Sequence, residues 1–528
     1  MRLFEHEISH VGVDNRRMND WTCGYLTDIG YTFGYCTDLN PLRLAPALLH
    51  AGVAPPTVTH ACELGFGQGL SVNLHAAAST VRWCGTDFNP AHAAFAQQLA
   101  EASGAQARLF DDSFAEFAQR GDLPEFDFIG LHGVWSWISD ENRAAVVDFV
   151  RRKLKVGGVL QLSYNALPGW AGMVPMRHLM TEHARVLGAE GQGVASRIDA
   201  AIEFMHKVWG TKPDFEKAYP QAGERLQDIT GKSRDYLAHE YFNRDWHPMH
   251  VATVARWLAP AKLQYACSSR LLDHVDEFNL GAEQQNLLAE LPDPMFRETV
   301  RDFMLNRAFR SDLWVKGARP LAPLAQAELQ RELRLVLVSP RSAVTLKVVG
   351  PRGEGMMSAA VHEPLLDLMA DHQPRTLGQI WLALKGQGFP FAQLLKAVVF
   401  QLGLGHLAPV HDDATTSRVR PCTERLNAHL LRRARDSQQV GHLASPLTGG
   451  GTALDRIQQL LLAEHRSGVG QPREAAARVW KLLRAQGQSI LKDGQALATP
   501  EENLAELETR AKAFRDTTLP WLAALGVA

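Results

Sequence analysis

The sequence has little of what marks secreted, membrane-spanning or metal-stapled proteins. Its six cysteines are scattered and form no C-x-x-C pair, which argues against a disulfide framework and a structural zinc site. No apolar run approaches the length of a membrane span, and the first seven residues carry acids instead of the apolar core of a signal peptide. We therefore expect a cytoplasmic chain with reduced thiols, no membrane insertion and no bound metal.

The sequence also lacks an excess of either charge. Its 55 Lys and Arg residues stand against 57 Asp and Glu residues, so no overall field attracts nucleic acid or a membrane surface. We expect no nucleic-acid partner. At 528 residues, 46% hydrophobic and 21% charged, the chain has an ordinary globular composition and the length of three or more domains.

The stretch from Thr59 to Gly69 organises the chain. An apolar run over residues 58–64 ends in glycines at alternate positions, Gly65, Gly67 and Gly69, and a helix-forming segment follows. This order predicts a strand, a tight turn and a helix, where backbone approaches a ligand beside a helix N-terminus. The dinucleotide fingerprint G-x-G-x-x-G would need Gly or Ala directly after Gly69, where this chain has Leu.

Four more strand-like segments follow, separated by helical ones. Each ends in polar residues or glycine: Val81–Pro90, Ala107–Phe114, Phe126–Gly133 and Gly157–Asn165. Ligands of open α/β sheets bind at the carboxyl ends of the strands, so these ends predict one binding edge. The acid at the end of the second strand, Asp87, can accept hydrogen bonds from two ribose hydroxyls.

Two strand ends are rich in aromatic residues. His132 and Trp135 follow the fourth strand, and Tyr164 and Asn165 end the fifth. Aromatic rings attract ammonium and sulfonium cations, so we expect a pocket for the reacting groups here. The alternative is that Trp135 and Trp137 pack on the sheet.

With Glu63 before it, the glycine pattern resembles motif I of the class I methyltransferases that use S-adenosylmethionine (SAM). Nearly the whole chain resembles bacterial members with a methyltransferase regulatory domain. The resemblance implies SAM as cofactor and, as in members that act on outer-membrane proteins, a protein lysine as substrate. Phe66 departs from the usual motif, where a small or polar residue is commoner, although only backbone is needed there. The matching stretches are Glu63–Gly69, His132–Trp137, Ser163–Trp170, Tyr236–Pro248, Asp302–Gly317 and Ser445–Gly451.

The resemblance also implies roles for individual residues. A segment upstream of the first strand often closes over the cofactor in methyltransferases, which makes Tyr35 and Thr37 candidates; the alternative is that these residues pack on the sheet. The end of the fourth strand faces the reacting methyl group, so the predicted catalytic residues are His132, Trp135, Tyr164 and Asn165. The predicted cofactor-binding residues are Tyr35, Thr37, Glu63, Gly65, Phe66, Gly67, Gln68, Gly69, Asp87, Phe88, Asp112, Ser113, Phe114, His132 and Gly133.

The predicted fold is α/β: a Rossmann-like class I methyltransferase sheet with a helical insertion, a winged-helix-like middle domain and an α-helical C-terminal domain. Helices of such an insertion form a lid or a dimer surface, so a homodimer is one expected assembly. The helix Phe391–Leu402 has one Lys and mostly apolar residues, which favours packing or protein contact over DNA. We expect the sheet to resume near residues 239–248 and a polar linker over 411–424. The predicted domains are residues 1–280, with the insertion at about 171–239, a helical regulatory or linker region at 281–330, the winged-helix-like domain at 331–412 and the C-terminal domain at 425–528.

Methyl transfer from a sulfonium requires a deprotonated nucleophile in line with the methyl group and the exclusion of water. For a lysine amine, Tyr164, His132 or Tyr241 could take the proton, and Asn165 could orient the amine. Three functions remain open: a protein N-methyltransferase, a methyltransferase for a small molecule or glycan, and a non-catalytic SAM-binding scaffold. Large accessory domains favour a macromolecular substrate, and the intact acids of the cofactor site weigh against the scaffold.

Overall fold

The computed structural model describes Tyr25, residues 30–188, Gly191 and residues 193–528. Predictions on residues 1–24, including the missing signal peptide and the start of the first domain, lie outside these residues. The centre of the fold is a seven-stranded sheet. Its strands are β1 (His60–Leu64), β2 (Arg82–Thr86), β3 (Ala107–Phe110), β4 (Phe126–Leu131), β5 (Leu154–Asn165), β6 (Leu263–Ser268) and β7 (Phe309–Lys316).

The strand order is β3-β2-β1-β4-β5-β7-β6, with β7 antiparallel to both of its neighbours and the first five strands parallel. This is the sheet of a class I methyltransferase, and it confirms the predicted fold class. The five segments predicted as strands around the glycine turn are all strands of this sheet. Their carboxyl ends meet at one edge, where the order reverses between β1 and β4.

The prediction of a helical region at residues 281–330 was wrong at β7. Arg310 and Asp312 of this strand are only 5% and 1% exposed and bond to each other inside the fold. β7 pairs Tyr164 of β5 with Arg310 and Tyr265 of β6 with Trp314. The sheet therefore extends beyond residue 280, where the predicted first domain ended.

Helices cover both faces of the sheet, and short polar side chains begin several of them. Asn89, Ser113 and Ser139 each accept a hydrogen bond from a backbone N–H in the first helical turn. Apolar residues fill the space between the helices and the strands. These helices are α1 (Leu44–His50), α2 (Leu70–Ala77), α3 (Pro90–Ser103), α4 (Phe114–Gln119) and α5 (Asp140–Lys153).

The predicted insertion is helical and has a core of its own. Met173, Met176, Met180 and Met205 are all buried there, so these methionines are core residues. The sheet does not resume at residues 239–248, because the chain there is still the end of a helix and a loop that touches the sheet at Met249. The helices are α6 (Met173–Val186), α7 (Val194–Gly210), α8 (Asp214–Ala218), α9 (Pro220–Thr230) and α10 (Arg234–Tyr241), followed by α11 (Val251–Leu258) on the sheet.

A smaller unit with the winged-helix arrangement follows. A three-stranded sheet packs on three helices, and the helix predicted at Phe391–Leu402 turns Leu394, Val398 and Leu402 into the core. Before it in the chain come α12 (Asp276–Asn279), α13 (Ala282–Glu290) and α14 (Pro294–Met304), which lie between β6 and β7, and α15 (Pro323–Glu332), which follows β7. The unit has the strands β8 (Arg334–Leu337), β11 (Arg375–Thr376) and β12 (Leu407–Pro409) and the helices α16 (Ala359–Leu368), α17 (Leu377–Leu384) and α18 (Phe391–Gly403), and β9 (Lys347–Gly350) and β10 (Gly353–Met356) form a separate pair.

The predicted polar linker over residues 411–424 was wrong, because a long helix begins there. Asp412 caps it by accepting from the N–H of Thr415, and Val419 and Thr423 are buried. None of the described helices combines the length and apolarity that a bilayer crossing requires. The last elements are α19 (Asp413–Arg433), β13 (His442–Ser445), β14 (Gly450–Ala453), α20 (Arg456–Arg466), α21 (Pro472–Ala485), β15 (Leu491–Lys492), β16 (Gln495–Ala496), α22 (Pro500–Ala513) and α23 (Leu519–Ala524).

Candidate active site

The turn between β1 and α2 has space only for glycine at the positions of its three glycines. Gly65 and Gly67 have φ angles of +70° and +56°, in the left-handed region that other residues rarely adopt. A Cβ atom on Gly65 would lie 2.6 Å from the side chain of Val134, and one on Gly67 would lie 2.7 Å from the ring of Tyr31. Gly69 faces α3 instead, so its role is helix packing and not contact with the cavity.

Asp87 ties this turn to the second strand. Its Oδ2 accepts a hydrogen bond from the N–H of Gly67 at 2.8 Å. Its Oδ1 accepts from the N–H of Asn89 at 3.1 Å and lies 3.1 Å from Nδ1 of His92. The carboxylate still lines a cavity, where it keeps acceptor capacity for a ligand.

Two cavities form the candidate active-site cleft, and we describe them as its two halves. The first half has the features of a nucleoside pocket. Asp87 lies at its base, and Tyr25 and Tyr31 cover it from the N-terminal segment. Asp112 is held by an ion pair with Arg120 at 2.8 Å, and Ser113 caps α4. The predicted cofactor-binding residues that line this half are Gly65, Gly67, Asp87, Phe88, Asp112, Ser113, Phe114 and Gly133.

The other half of the cleft contains an unpartnered buried acid. Glu63 is 4% exposed, and its Oε2 has no hydrogen-bond partner among the described residues. Burial, with the nearby charge of Asp87, raises the pKa of the Glu63 carboxyl to about 8. A cationic group in this half of the cleft would compensate that carboxylate. The predicted residues that line this half are Glu63, Gly65, Phe66, Gly67, Gln68, His132 and Gly133.

His132 lies at the inner end of the same half. Its ring centroid is 6.1 Å from that of Phe309, and burial lowers the pKa of the imidazole. A neutral imidazole can accept a proton or a hydrogen bond, as predicted for His132. Trp137, from the short 3-10 helix after β4, closes the cleft opposite it.

Glu240 was not among the predicted site residues. It lines the cleft from the last helix of the insertion, and its Oε1 accepts a hydrogen bond from Nδ2 of Asn165 at 3.1 Å. Burial raises the pKa of the Glu240 carboxyl to about 7. No sequence signal marks this residue, because the insertion brings it to the strand ends from 75 residues away in the chain.

Tyr164 does not reach the cleft, contrary to the prediction that it lies near the reacting methyl group. Side chains alternate across a strand, so the neighbours of Tyr164 face the cleft side while Tyr164 faces the other. Ser163 accepts from the N–H of Gly133 at 2.8 Å, and Asn165 reaches Glu240. The Tyr164 hydroxyl is buried and donates to Oδ2 of Asp312 at 2.9 Å.

The structure also places four other residues considered in the predictions away from the cleft. Trp135 is fully buried against Trp257, and it is Trp137, two positions on, that lines the cleft. Tyr35 and Thr37 line a separate cavity, because Tyr31 and Tyr25 occupy the covering position. Tyr241, considered as a proton acceptor, is buried in the insertion core beside Trp170.

SAM fits the residues that line the cleft. It carries two ribose hydroxyls, an amino group and a sulfonium, which require acceptors and compensating negative charge. Asp87 offers acceptors, Glu63 offers an unpartnered carboxylate, and the glycine turn offers backbone without side chains. Within the described part of the chain, no group of three His, Cys, Asp or Glu side chains could hold a metal ion.

Comparisons with known proteins agree with SAM as the ligand of this cleft. Residues 61–158 match the family model described as methyltransferase domain, and residues 233–316 match the predicted methyltransferase regulatory domain. The chain is therefore a class I methyltransferase that uses SAM. It belongs to the family in which these two domains occur together, and it is 37% identical over 512 residues to the uncharacterized protein sll1526 of Synechocystis, covering 96% of this chain and 99% of that one.

The chain is also similar to proteins from Rickettsia. PKMT2 from Rickettsia typhi, solved in complex with AdoHcy, matches with a TM-score of 0.68 at 17% identity, covering 92% of this chain and 98% of that one. At that identity the likeness shows the shared fold. The uncharacterized protein RP789 of Rickettsia prowazekii is 24% identical over 289 residues, 52% of this chain and 49% of that one.

Proposed function

We propose that this protein transfers the methyl group of SAM to lysine amines of a protein substrate. The observation that carries the proposal is Glu240, a partly buried carboxylate with a pKa of about 7 that lines the same half of the cleft as Glu63. A lysine side chain arrives protonated and must lose a proton before its nitrogen can attack. A carboxylate with a pKa close to the working pH suits that step.

The chain's own residues divide the binding of SAM between the two halves of the cleft. Asp87 would accept the ribose hydroxyls, and Phe88 and Phe114 would flank the adenine. Glu63 would compensate the positive charge of the methionine part. SAM supplies the electrophilic methyl group when bound.

The part of the cleft around Glu240 is aromatic, as a site for an alkylammonium group would be. Trp137, Tyr236 and Phe309 line it together with Glu240. Aromatic faces attract a cationic amine and exclude the water that would compete with it. Tyr236 is 41% exposed, so this side of the cleft is open to a side chain presented from outside.

One further fact supports a protein substrate. The winged-helix and C-terminal units add a large surface beyond what a small substrate requires. The alternative is a small-molecule or glycan methyltransferase, in which the insertion serves only as a lid.

The test is a methyl-transfer assay with labelled SAM and a bacterial lysate that includes solubilised outer-membrane proteins. Label should enter the protein fraction, and peptide mass spectrometry should place it on lysine. As a control, the same lysate with its lysines acetylated beforehand should take up no label. Label in the small-molecule fraction alone would contradict the proposal and favour the alternative.

A further inference from the structure

A second cavity lies apart from the active site, where three parts of the chain meet. It has a volume of about 400 Å³. Its walls come from the segment of residues 35–43, from the ends of β8 and β12 in the winged-helix unit, and from the β13–β14 hairpin with α23. We call it the junction cavity. None of the described residues that line it lines the active-site cleft.

The polar groups of the junction cavity include a cation and hydroxyl groups. Among the described residues that line it, Arg43 is the one charged residue and none is Asp or Glu. The Arg43 guanidinium makes a single long contact, 3.4 Å from the carbonyl of Leu402, and has no carboxylate partner among the described residues. Thr37 and Thr452 add hydroxyls that have no hydrogen-bond partner within the described structure.

The other walls are apolar or neutral. Leu407, Trp521, Leu525 and His442 are among the residues that line it. Burial lowers the pKa of His442, so its imidazole is neutral and can donate one hydrogen bond. A half-buried guanidinium without a counter-ion costs free energy, which an anion would recover.

We propose that the junction cavity binds a small organic anion, with its carboxylate or phosphate on Arg43 and its apolar part against Trp521 and Leu525. A guanidinium binds both kinds of oxyanion through paired hydrogen bonds, so the shared chemistry is an oxyanion attached to an apolar body. The hydroxyls of Thr37 and Thr452 complete the donors around it.

The segment that carries Tyr35 and Thr37 connects this cavity to the active site. Tyr35 and Thr37 line the junction cavity, whereas Cys36 between them lines the active-site cleft. The N–H of Cys36 donates to Oγ of Ser71 at 2.8 Å, at the start of α2. A ligand that restrains this segment would therefore also change the affinity for SAM, by linkage between the two sites.

The test measures anion binding to the full-length protein saturated with S-adenosylhomocysteine, so that the active site is blocked. Calorimetry and thermal unfolding are run with inorganic phosphate and with benzoate, against sodium chloride at equal ionic strength. We expect saturable binding of at least one anion in the millimolar range or tighter, and a rise in the unfolding temperature. The two probes distinguish a phosphate from a carboxylate with an apolar ring.

Matched variants locate the binding. Arg43→Gln should weaken it at least tenfold, and Thr37→Val should weaken it without removing a charge. Arg484→Gln, an exposed arginine on α21, should leave it unchanged. No saturable binding of either anion beyond chloride, or equal binding by Arg43→Gln, overturns the site. Anion binding that leaves SAM affinity unchanged in the unblocked protein supports the site and overturns its link to the cleft.

Discussion

Asn165 donates a hydrogen bond from Nδ2 to Oε1 of Glu240 across 3.1 Å, which joins the end of β5 to the last helix of the insertion. The indole N–H of Trp137 adds a second link, donating to the backbone carbonyl of Glu240 at 3.3 Å. The insertion thus supplies a side chain to the cleft and is held there from two strand ends. Asn165 was predicted as a catalytic residue, and this geometry makes it the residue that positions Glu240.

Glu240→Gln should lower turnover about 10²–10⁴-fold, because the amide cannot take the proton of the incoming amine. SAM affinity should change little, since Glu240 lies on the substrate side. In the wild type the rate should rise with pH as Glu240 loses its proton around pH 7, and this step should vanish in the variant. The measurement is initial rates across pH, with calorimetry for SAM.

Glu101→Gln, an exposed position on α3, is the matched control and should keep wild-type rates. Normal turnover by Glu240→Gln on a protein substrate would remove Glu240 from the mechanism. An unchanged pH profile in that variant would assign the titration to another group, with His132 as the nearest candidate.

Much of the cofactor site could be predicted from sequence. Left-handed glycines and an acid at a strand end are local requirements, and Gly65, Gly67 and Asp87 lie together as expected. The same holds for the residues after β3, because a loop at a strand's carboxyl end stays at that edge of the sheet. These features depend on a few consecutive residues and on strand order.

The residues on the substrate side of the cleft, Glu240 and Trp137, could not be predicted, because they depend on which face a side chain takes and on distant chain segments. A shift of one residue in a strand reverses the face, which is why Tyr164 faces Asp312 and not the cleft. Glu240 arrives from the insertion, and Tyr31 takes the place expected for Tyr35. β7 was not predicted as a strand, because Arg310 and Asp312 are charged and yet pair with each other inside the fold.

Asp87→Ala should weaken SAM binding by about 1.5–3 kcal/mol, because it removes a charged acceptor and also releases the N–H of Gly67. Calorimetry with SAM and with S-adenosylhomocysteine should show the same loss for both. Asp228→Ala, an exposed acid on α9, should bind both ligands like the wild type. Tight binding of NAD without binding of SAM would contradict the assignment of this cleft.

Tyr164→Phe should affect stability and not turnover. The variant loses the hydroxyl that donates to Asp312 inside the fold, so we expect the free energy of unfolding to fall by about 1–3 kcal/mol. Urea unfolding measures the loss, and methyl transfer per folded molecule should stay near the wild-type rate. Tyr219→Phe, at an exposed ring, should do neither. A large loss of turnover in a stable Tyr164→Phe protein would return this residue to the mechanism.

The winged-helix unit should not bind DNA. Its third helix, α18, turns Leu394, Val398 and Leu402 into the core and offers Lys396, which pairs with Glu277. A recognition helix would need several free basic side chains at its surface. Gel shifts of the full-length protein with random duplex at low salt should show no complex, and salt-sensitive binding lost in Lys396→Gln would contradict this.

Glu63 should make the ligand-free protein less stable as the pH rises. Its folded-state pKa of about 8 lies above the ordinary value of 4.5, so the folded state holds a proton that the unfolded chain has released. The free energy of unfolding is therefore undiminished by Glu63 below pH 4.5 and falls progressively up to about pH 8. Glu63→Gln keeps the neutral form at every pH, so its advantage over the wild type should grow across that window, to at most roughly 5 kcal/mol. Urea unfolding at a series of pH values measures it, and a constant difference between the two proteins from acid to alkaline pH would show that Glu63 has the same pKa in the folded and unfolded states.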